Sequence, residues 1–160
     1  MISVGDKLPE STLMIMTAEG PTPVSTNDVF AGKKVILFGL PGAFTPTCHK
    51  THLPGFVANA DAIKAKGVDT IACISVNDVF VMAAWGNQVS PDGKVLMLAD
   101  GNGDFAKATG TDVDSSAFGM GIRCQRYSMI IEDGVVTALN IGDERGQAEI
   151  SGAETILNSL

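Results

Sequence analysis

Two short apolar runs, Val35-Ile-Leu-Phe-Gly-Leu40 and Thr70-Ile-Ala-Cys-Ile-Ser75, constrain this chain more than any other feature. Neither alternates polar with apolar residues, which is the pattern of a strand covered on both faces. Between them Leu53, Phe56, Val57, Ala60 and Ile63 recur at helical spacing as far as Gly67, a residue suited to the left-handed position beyond a helix end. Strand, helix and strand in this order predict a βαβ unit, with the helix kinked at Pro54.

The remaining segments extend that unit. Asp78 is placed to cap a helix running to about Val89, with Val81, Met82 and Trp85 on its inner side. Lys94 to Ala99 reads as a third strand, Asp104 to Thr109 as a short helix and Ala153 to Ser159 as a last helix. Tyr127 to Ile131 and Val135 to Leu139 flank Glu132-Asp133-Gly134, whose Asp-Gly pair suits a tight hairpin. Gly20-Pro21-Thr22-Pro23 and Ser90-Pro91-Asp92-Gly93 read as surface turns. The expected architecture is α/β: a mixed sheet of the thioredoxin kind flanked by helices, with extra N-terminal elements in residues 1–34. With 160 residues, 45% of them apolar, the chain is expected to fold as one domain over residues 1–160.

Charge and cysteine usage narrow the function. A net charge of -7 repels phosphate backbones, so no nucleic-acid partner is expected. The unbroken apolar run Val35 to Leu40 is about a third of the roughly 20 residues needed to span a bilayer, so no membrane partner is expected either. Met1 to Asp6 carries neither a basic nor an apolar targeting segment, and the expected location is the cytoplasm. Three cysteines, Cys48, Cys73 and Cys124, are an odd number, which suits reduced thiols better than a disulfide framework.

Cys48 stands apart from the other two. Thr45 is a good N-cap and Pro46 suits the first helical position, so Cys48 becomes the third residue of a helix. Unpaired amides and the positive end of the helix dipole favour negative charge there, which makes the thiol a candidate nucleophile. Its companions exclude several chemistries. A dithiol exchanger needs Cys-x-x-Cys, and position 45 is threonine. A cysteine protease needs a distant histidine, whereas His49 and His52 lie one and four residues away; His52 can touch the thiol, but no third orienting group is evident. A zinc site built on Cys48, His49 and His52 lacks a fourth ligand, and residues 48 and 49 point about 100° apart on a helix. No metal or prosthetic cofactor is therefore expected.

The pattern Pro41-x-x-x-Thr45-x-x-Cys48 resembles the peroxidatic signature of the peroxiredoxins, thiol peroxidases of thioredoxin-like fold. "PGAFTPTC", "HLPGF", "ISVNDVFVMAAW" and "RYSMIIEDGVV" each resemble stretches of the type II, or peroxiredoxin-V-like, group, and they occur in the same order. The resemblance covers Val4 to Leu160.

The resemblance implies that Cys48 attacks a hydroperoxide and becomes a sulfenic acid, with Thr45, the Cys48 N–H and an arginine holding the peroxide and Pro41 shielding the sulfur. The arginine maps onto Arg126, directly before Tyr127-Ser128-Met129, and Arg123 is left to a supporting role. Cys73 lies at the spacing of a resolving cysteine in many type II members, yet it sits mid-strand, where structural packing is an equal reading. Cys124 has no family counterpart. An external thiol, glutathione through glutaredoxin or thioredoxin directly, is the implied reductant. A homodimer is implied as well, with Phe44 and Trp85 as contact residues. Two other functions stay open on sequence: a peroxide sensor or redox-regulated interaction protein, and a glutathione transferase.

Overall fold

The computed structural model describes residues 1–160. The elements are β1 (Thr12–Thr17), β2 (Gly20–Ser25), α1 (Thr26–Phe30), β3 (Lys34–Gly39), α2 (Leu53–Lys64), β4 (Thr70–Ser75), α3 (Val79–Val89), β5 (Leu96–Ala99), α4 (Asp104–Thr109), β6 (Asp112–Asp114), β7 (Ile122–Cys124), β8 (Tyr127–Glu132), β9 (Val135–Ile141) and α5 (Ala153–Ser159). Seven strands form one sheet in the order β2-β1-β5-β4-β3-β8-β9, and β6 and β7 form a separate ribbon. β3, β4 and β5 run parallel, and the outer strands are antiparallel, which makes the mixed, thioredoxin-like sheet.

The two-faced burial of β3 explains its unbroken apolar run. Ile36 and Phe38 point into one core with Phe56 and Ile63 of α2, Trp85 of α3 and Ile156 of α5. Val35 and Leu37 point into the other, with Val29 and Phe30 of α1 and Phe105 of α4. Alternate residues serve opposite layers, so a polar residue has no place in the run. Each fully buried anchor such as Leu53, Phe56 or Ile63 contributes roughly 1.5–3 kcal/mol. Phe38 and Phe56 stack at 4.1 Å between ring centroids and tie β3 to α2.

Local chemistry sets the boundaries. Asp78 accepts from the Val81 N–H and starts α3. Asp133 and Gly134 take positive φ, 48° and 78°, as a tight turn between β8 and β9 requires. Ser25 and Asp28 form a reciprocal capping box at the start of α1.

Two expectations are corrected. Gly20 to Pro23 is not a surface turn but the start of β2, with Met14 opposite Pro23 and Met16 opposite Pro21. β2 is an edge strand, so prolines that lack an N–H break no inner ladder. The irregularity near Pro54 is a π turn at Cys48–His52, in which Leu53 N–H donates to Cys48 C=O. A wider turn just ahead of Pro54 accommodates a residue with no N–H to give and a ring that crowds the preceding turn. No helix is long and apolar enough to cross a membrane.

Candidate active site

Cys48 sits where the loop after β3 turns into the helical segment that opens at Pro46, and it is the third helical residue. The Cys48 N–H has no acceptor among the protein's hydrogen bonds, so it stays available beside the sulfur. Thr45 does not cap the helix through its side chain: its hydroxyl donates to Gly42 C=O at 2.6 Å. That bond commits the hydroxyl proton to the loop and leaves the oxygen free to accept.

The loop is held against α3. Phe44 has φ of 63°, an uncommon conformation for a bulky residue, and its ring packs on His49 at 5.7 Å and Trp85 at 6.2 Å. Trp85 Nε1 donates to His49 Nδ1 at 3.0 Å. Trp85 has no exposed surface, which removes it as a dimer contact, since its indole faces the site from inside the core. Phe44 is 45% exposed.

Two arginines reach this loop from the segment that leads into β8, the strand beside β3. Arg126, directly before β8, places Nη2 3.3 Å from Cys48 Sγ and Nη1 3.0 Å from His52 Nδ1. Arg123, on β7, donates to the carbonyls of Met120, Pro41 and Val76 and does not reach the sulfur. The geometry thus separates them: Arg126 meets the thiol, and Arg123 fixes the Pro41 loop.

His52 is buried, and its Nε2 lies 3.0 Å from Ser151 C=O. Burial, with Arg126 nearby, pushes its pKa down to about 4 against the support of the Ser151 carbonyl. Ser151 is held in turn by Asp143, which accepts from the backbone N–H of Glu149, Ile150 and Ser151 and from the Ser151 hydroxyl. Partial burial opposes ionisation of Asp143, but these donors outweigh it and hold the carboxyl below its usual value. His52 was legible only as a neighbour of Cys48; its tie to Arg126 joins segments with no local signal.

Beside the sulfur opens a cavity of about 600 Å³, lined by residues that include Pro41, Thr45, Phe118, Met120, Arg126 and Asp143. Cys48 itself has no exposed surface. Arg145, also on the rim, stacks over the Phe118 ring at 4.1 Å.

The other thiols are poor nucleophiles in this fold. Cys73 lies in the middle of β4 opposite Phe38, fully buried, and burial raises its pKa well above the usual thiol range. Cys124 is buried on β7, donates to Leu40 C=O at 3.1 Å, and is pushed up to about 12, chiefly by burial. All three cysteines are free. No three His, Cys, Asp or Glu side chains are grouped to hold a metal ion; His52 has protein partners at both ring nitrogens and His49 at Nδ1.

Residues 3–157 match the Redoxin family model. The chain is 48% identical over 160 residues to peroxiredoxin-2C of Oryza sativa subsp. japonica, covering 99% of this chain and 98% of the relative. It is 48% identical over 164 residues to the chloroplastic peroxiredoxin-2E of Arabidopsis thaliana, covering 99% of this chain and 69% of that relative. Among solved structures it superposes with a TM-score of 0.94 and 52% identity on reduced Prx3 of Vibrio vulnificus in complex with hydrogen peroxide, with 99% of each chain covered.

Proposed function

The chain belongs to the peroxiredoxin family, in its type II group, and is a thiol-dependent peroxidase; from that premise we propose how its own residues perform the reaction. Cys48 is the peroxidatic nucleophile. Its thiolate attacks the terminal oxygen of a hydroperoxide, the S–O bond forms as the O–O bond breaks, and the departing oxygen leaves as water or an alcohol after taking a proton. Cys48 is left as a sulfenic acid.

The observation that carries this reading is the Arg126 Nη2 to Cys48 Sγ distance of 3.3 Å beside a cavity lined by Pro41 and Thr45. A guanidinium there favours the negative sulfur and then the charge developing on the leaving oxygen. The Thr45 oxygen, with its own proton given to Gly42, accepts from the peroxide O–H. The Cys48 N–H adds a second donor, and Pro41 limits what reaches the sulfur. Hydrogen peroxide and organic hydroperoxides are the substrates; the apolar rings and thioether on the cavity wall suit an alkyl tail.

An external thiol, glutathione through glutaredoxin or thioredoxin, attacks the sulfenic sulfur, releases water and leaves a mixed disulfide that a second thiol resolves. No prosthetic group takes part. Cys73 acts as a resolving cysteine only if β4 and the first turn around Cys48 open locally, because both thiols are buried. Exposed Phe44 on the Cys48 loop and Phe118 on the cavity wall support a homodimer built on this face. Three unpaired thiols suit a reducing compartment, and the proposed location is the cytoplasm.

Steady-state peroxide consumption with each reductant, together with trapping of the sulfenic acid on Cys48, tests the reading. Cys48→Ser is expected to abolish turnover, and an active serine variant overturns it.

A further inference from the structure

We propose that His52 is a positioning residue for the peroxidase reaction, a neutral acceptor that aims the Arg126 guanidinium at Cys48 without neutralising it. The inference rests on Cys48 being the reacting thiol.

The protonation state of His52 follows from its partners. Ser151 C=O can only accept, so Nε2, 3.0 Å away, must carry the ring proton. Arg126 Nη1 can only donate, so Nδ1, also 3.0 Å away, must be bare. Only the neutral Nε2–H form satisfies both neighbours, and an imidazolium would set two cations against each other. The depressed pKa of about 4 agrees with that form.

The guanidinium is a rigid plane. Holding Nη1 on His52 therefore fixes the direction of Nη2, which points at Cys48 Sγ. These two are the side chain's hydrogen-bond partners, and no carboxylate forms a salt bridge with Arg126. That second fact gives the arrangement its chemical sense. A carboxylate in the place of His52 would hold the arginine equally well but would compete with the sulfur for its charge. A neutral imidazole holds it and leaves the positive charge to the thiolate and to the peroxide oxygens.

His52 is held from behind as well. Its ring packs at 5.1 Å from Phe38 and 5.7 Å from Phe56, and the Ser151 carbonyl stands in a segment gathered by Asp143. The segment between β9 and α5 thus bears on the reacting sulfur through one ring.

Two substitutions separate aiming from packing. In His52→Asn the amide oxygen can occupy the Nδ1 position and accept from Arg126, but the Ser151 contact is lost. In His52→Gln the amide nitrogen can reach Ser151 C=O, but nothing accepts from Arg126. Asn leaves the larger gap beside Phe38 and Phe56, so packing alone would make it the worse variant, and thermal melting checks that both fold. Two rates are read: the second-order rate constant for hydrogen peroxide, and the alkylation rate of Cys48 by iodoacetamide followed on its own peptide.

The Asn variant is expected within about 3-fold of wild type in both rates. The Gln variant is expected to fall about 10-fold or more, since misplacement by the order of 1 Å costs as much as about 100-fold. Equal rates in the two variants, or a faster Gln variant, overturn the positioning role. Wild type and Cys48→Ser are measured alongside: a peroxide-inert wild type or an active serine variant overturns the peroxidase reading instead, and the alkylation rates still decide the role of His52.

Discussion

Arg126 and Cys48 are 78 positions apart in the chain, and Nη2 of one lies 3.3 Å from Sγ of the other. The antiparallel pairing of β8 with β3 produces this proximity: Tyr127, the residue after Arg126, stands opposite Gly39, just before the loop that carries Pro41 and Thr45. Removing the guanidinium in Arg126→Ala should lower the rate constant for hydrogen peroxide about 10²–10³-fold, the usual cost of a lost transition-state donor. Arg126→Lys should recover only part, because one ammonium does not reproduce a planar fork held on both His52 and Cys48. Stopped-flow peroxide consumption by the reduced enzyme measures both.

Arg123 predicts a different phenotype. Its side chain gathers the carbonyls of Met120, Pro41 and Val76 and has no contact with the sulfur. Arg123→Ala should therefore lower stability by about 1.5–3 kcal/mol, the range for hydrogen bonds from a charged donor, while the peroxide rate falls far less than for Arg126→Ala. A looser Pro41 loop should also admit a second peroxide more readily. Mass analysis of Cys48 at excess peroxide is expected to find more sulfinic acid in this variant than in wild type.

Much of this arrangement can be read along the chain, and what cannot has physical causes. β4, α4 and α5 match their expected limits because their apolar patterns end at Gly, Asp or Ser residues that stop an element locally. β2 was hidden because Pro21 and Pro23 signal a turn unless the strand lies at an edge, and edge position is a property of the whole sheet. The expectation that Trp85 faces a partner failed because its indole turns inward to His49. The helix start at Pro46 was legible, whereas the hydroxyl of Thr45 goes to Gly42 instead of the helix amides. The link from Arg126 through His52 to Ser151 draws on three segments that meet only once the sheet has formed.

Acid should destabilise the fold through His52. In the unfolded chain the imidazole titrates near 6.5; in the fold burial lowers this to about 4. Above 6.5 the ring is neutral in both states and its native contacts are fully in place. As pH falls toward 4 the unfolded chain takes up a proton that the folded one refuses, so stability drops across that window. At about 1.4 kcal/mol per pH unit, the loss is on the order of 3 kcal/mol. Asp100, raised by burial, acts in the opposite sense, and Asp143, lowered on balance by its hydrogen bonds, loses its contribution only at still lower pH. Urea unfolding at pH 7.0 and 4.5 should show this loss in wild type and a smaller one in His52→Asn. An equal loss in both would assign the acid sensitivity to other groups.

Cys73 decides how many of the enzyme's own thiols the cycle uses. It is fully buried in β4, paired opposite Phe38, and its thiol is held in the protonated form by burial. Both thiols are buried in one core, so a disulfide between them is expected to need local opening around each, whereas an external thiol needs access to Cys48 alone. Cys73→Ala, which removes the thiol without burying a new polar group, should therefore keep turnover with glutaredoxin and glutathione. Its thermal midpoint should fall by a few degrees, as expected for a loss of roughly 1 kcal/mol. With thioredoxin the comparison is sharper. If turnover survives the substitution, Cys73 is packing and the cycle runs on Cys48 alone; if it collapses while the glutathione-dependent rate persists, local opening of β4 is part of the thioredoxin route. Non-reducing mass analysis after one equivalent of peroxide separates the two by the presence or absence of a Cys48–Cys73 bridge.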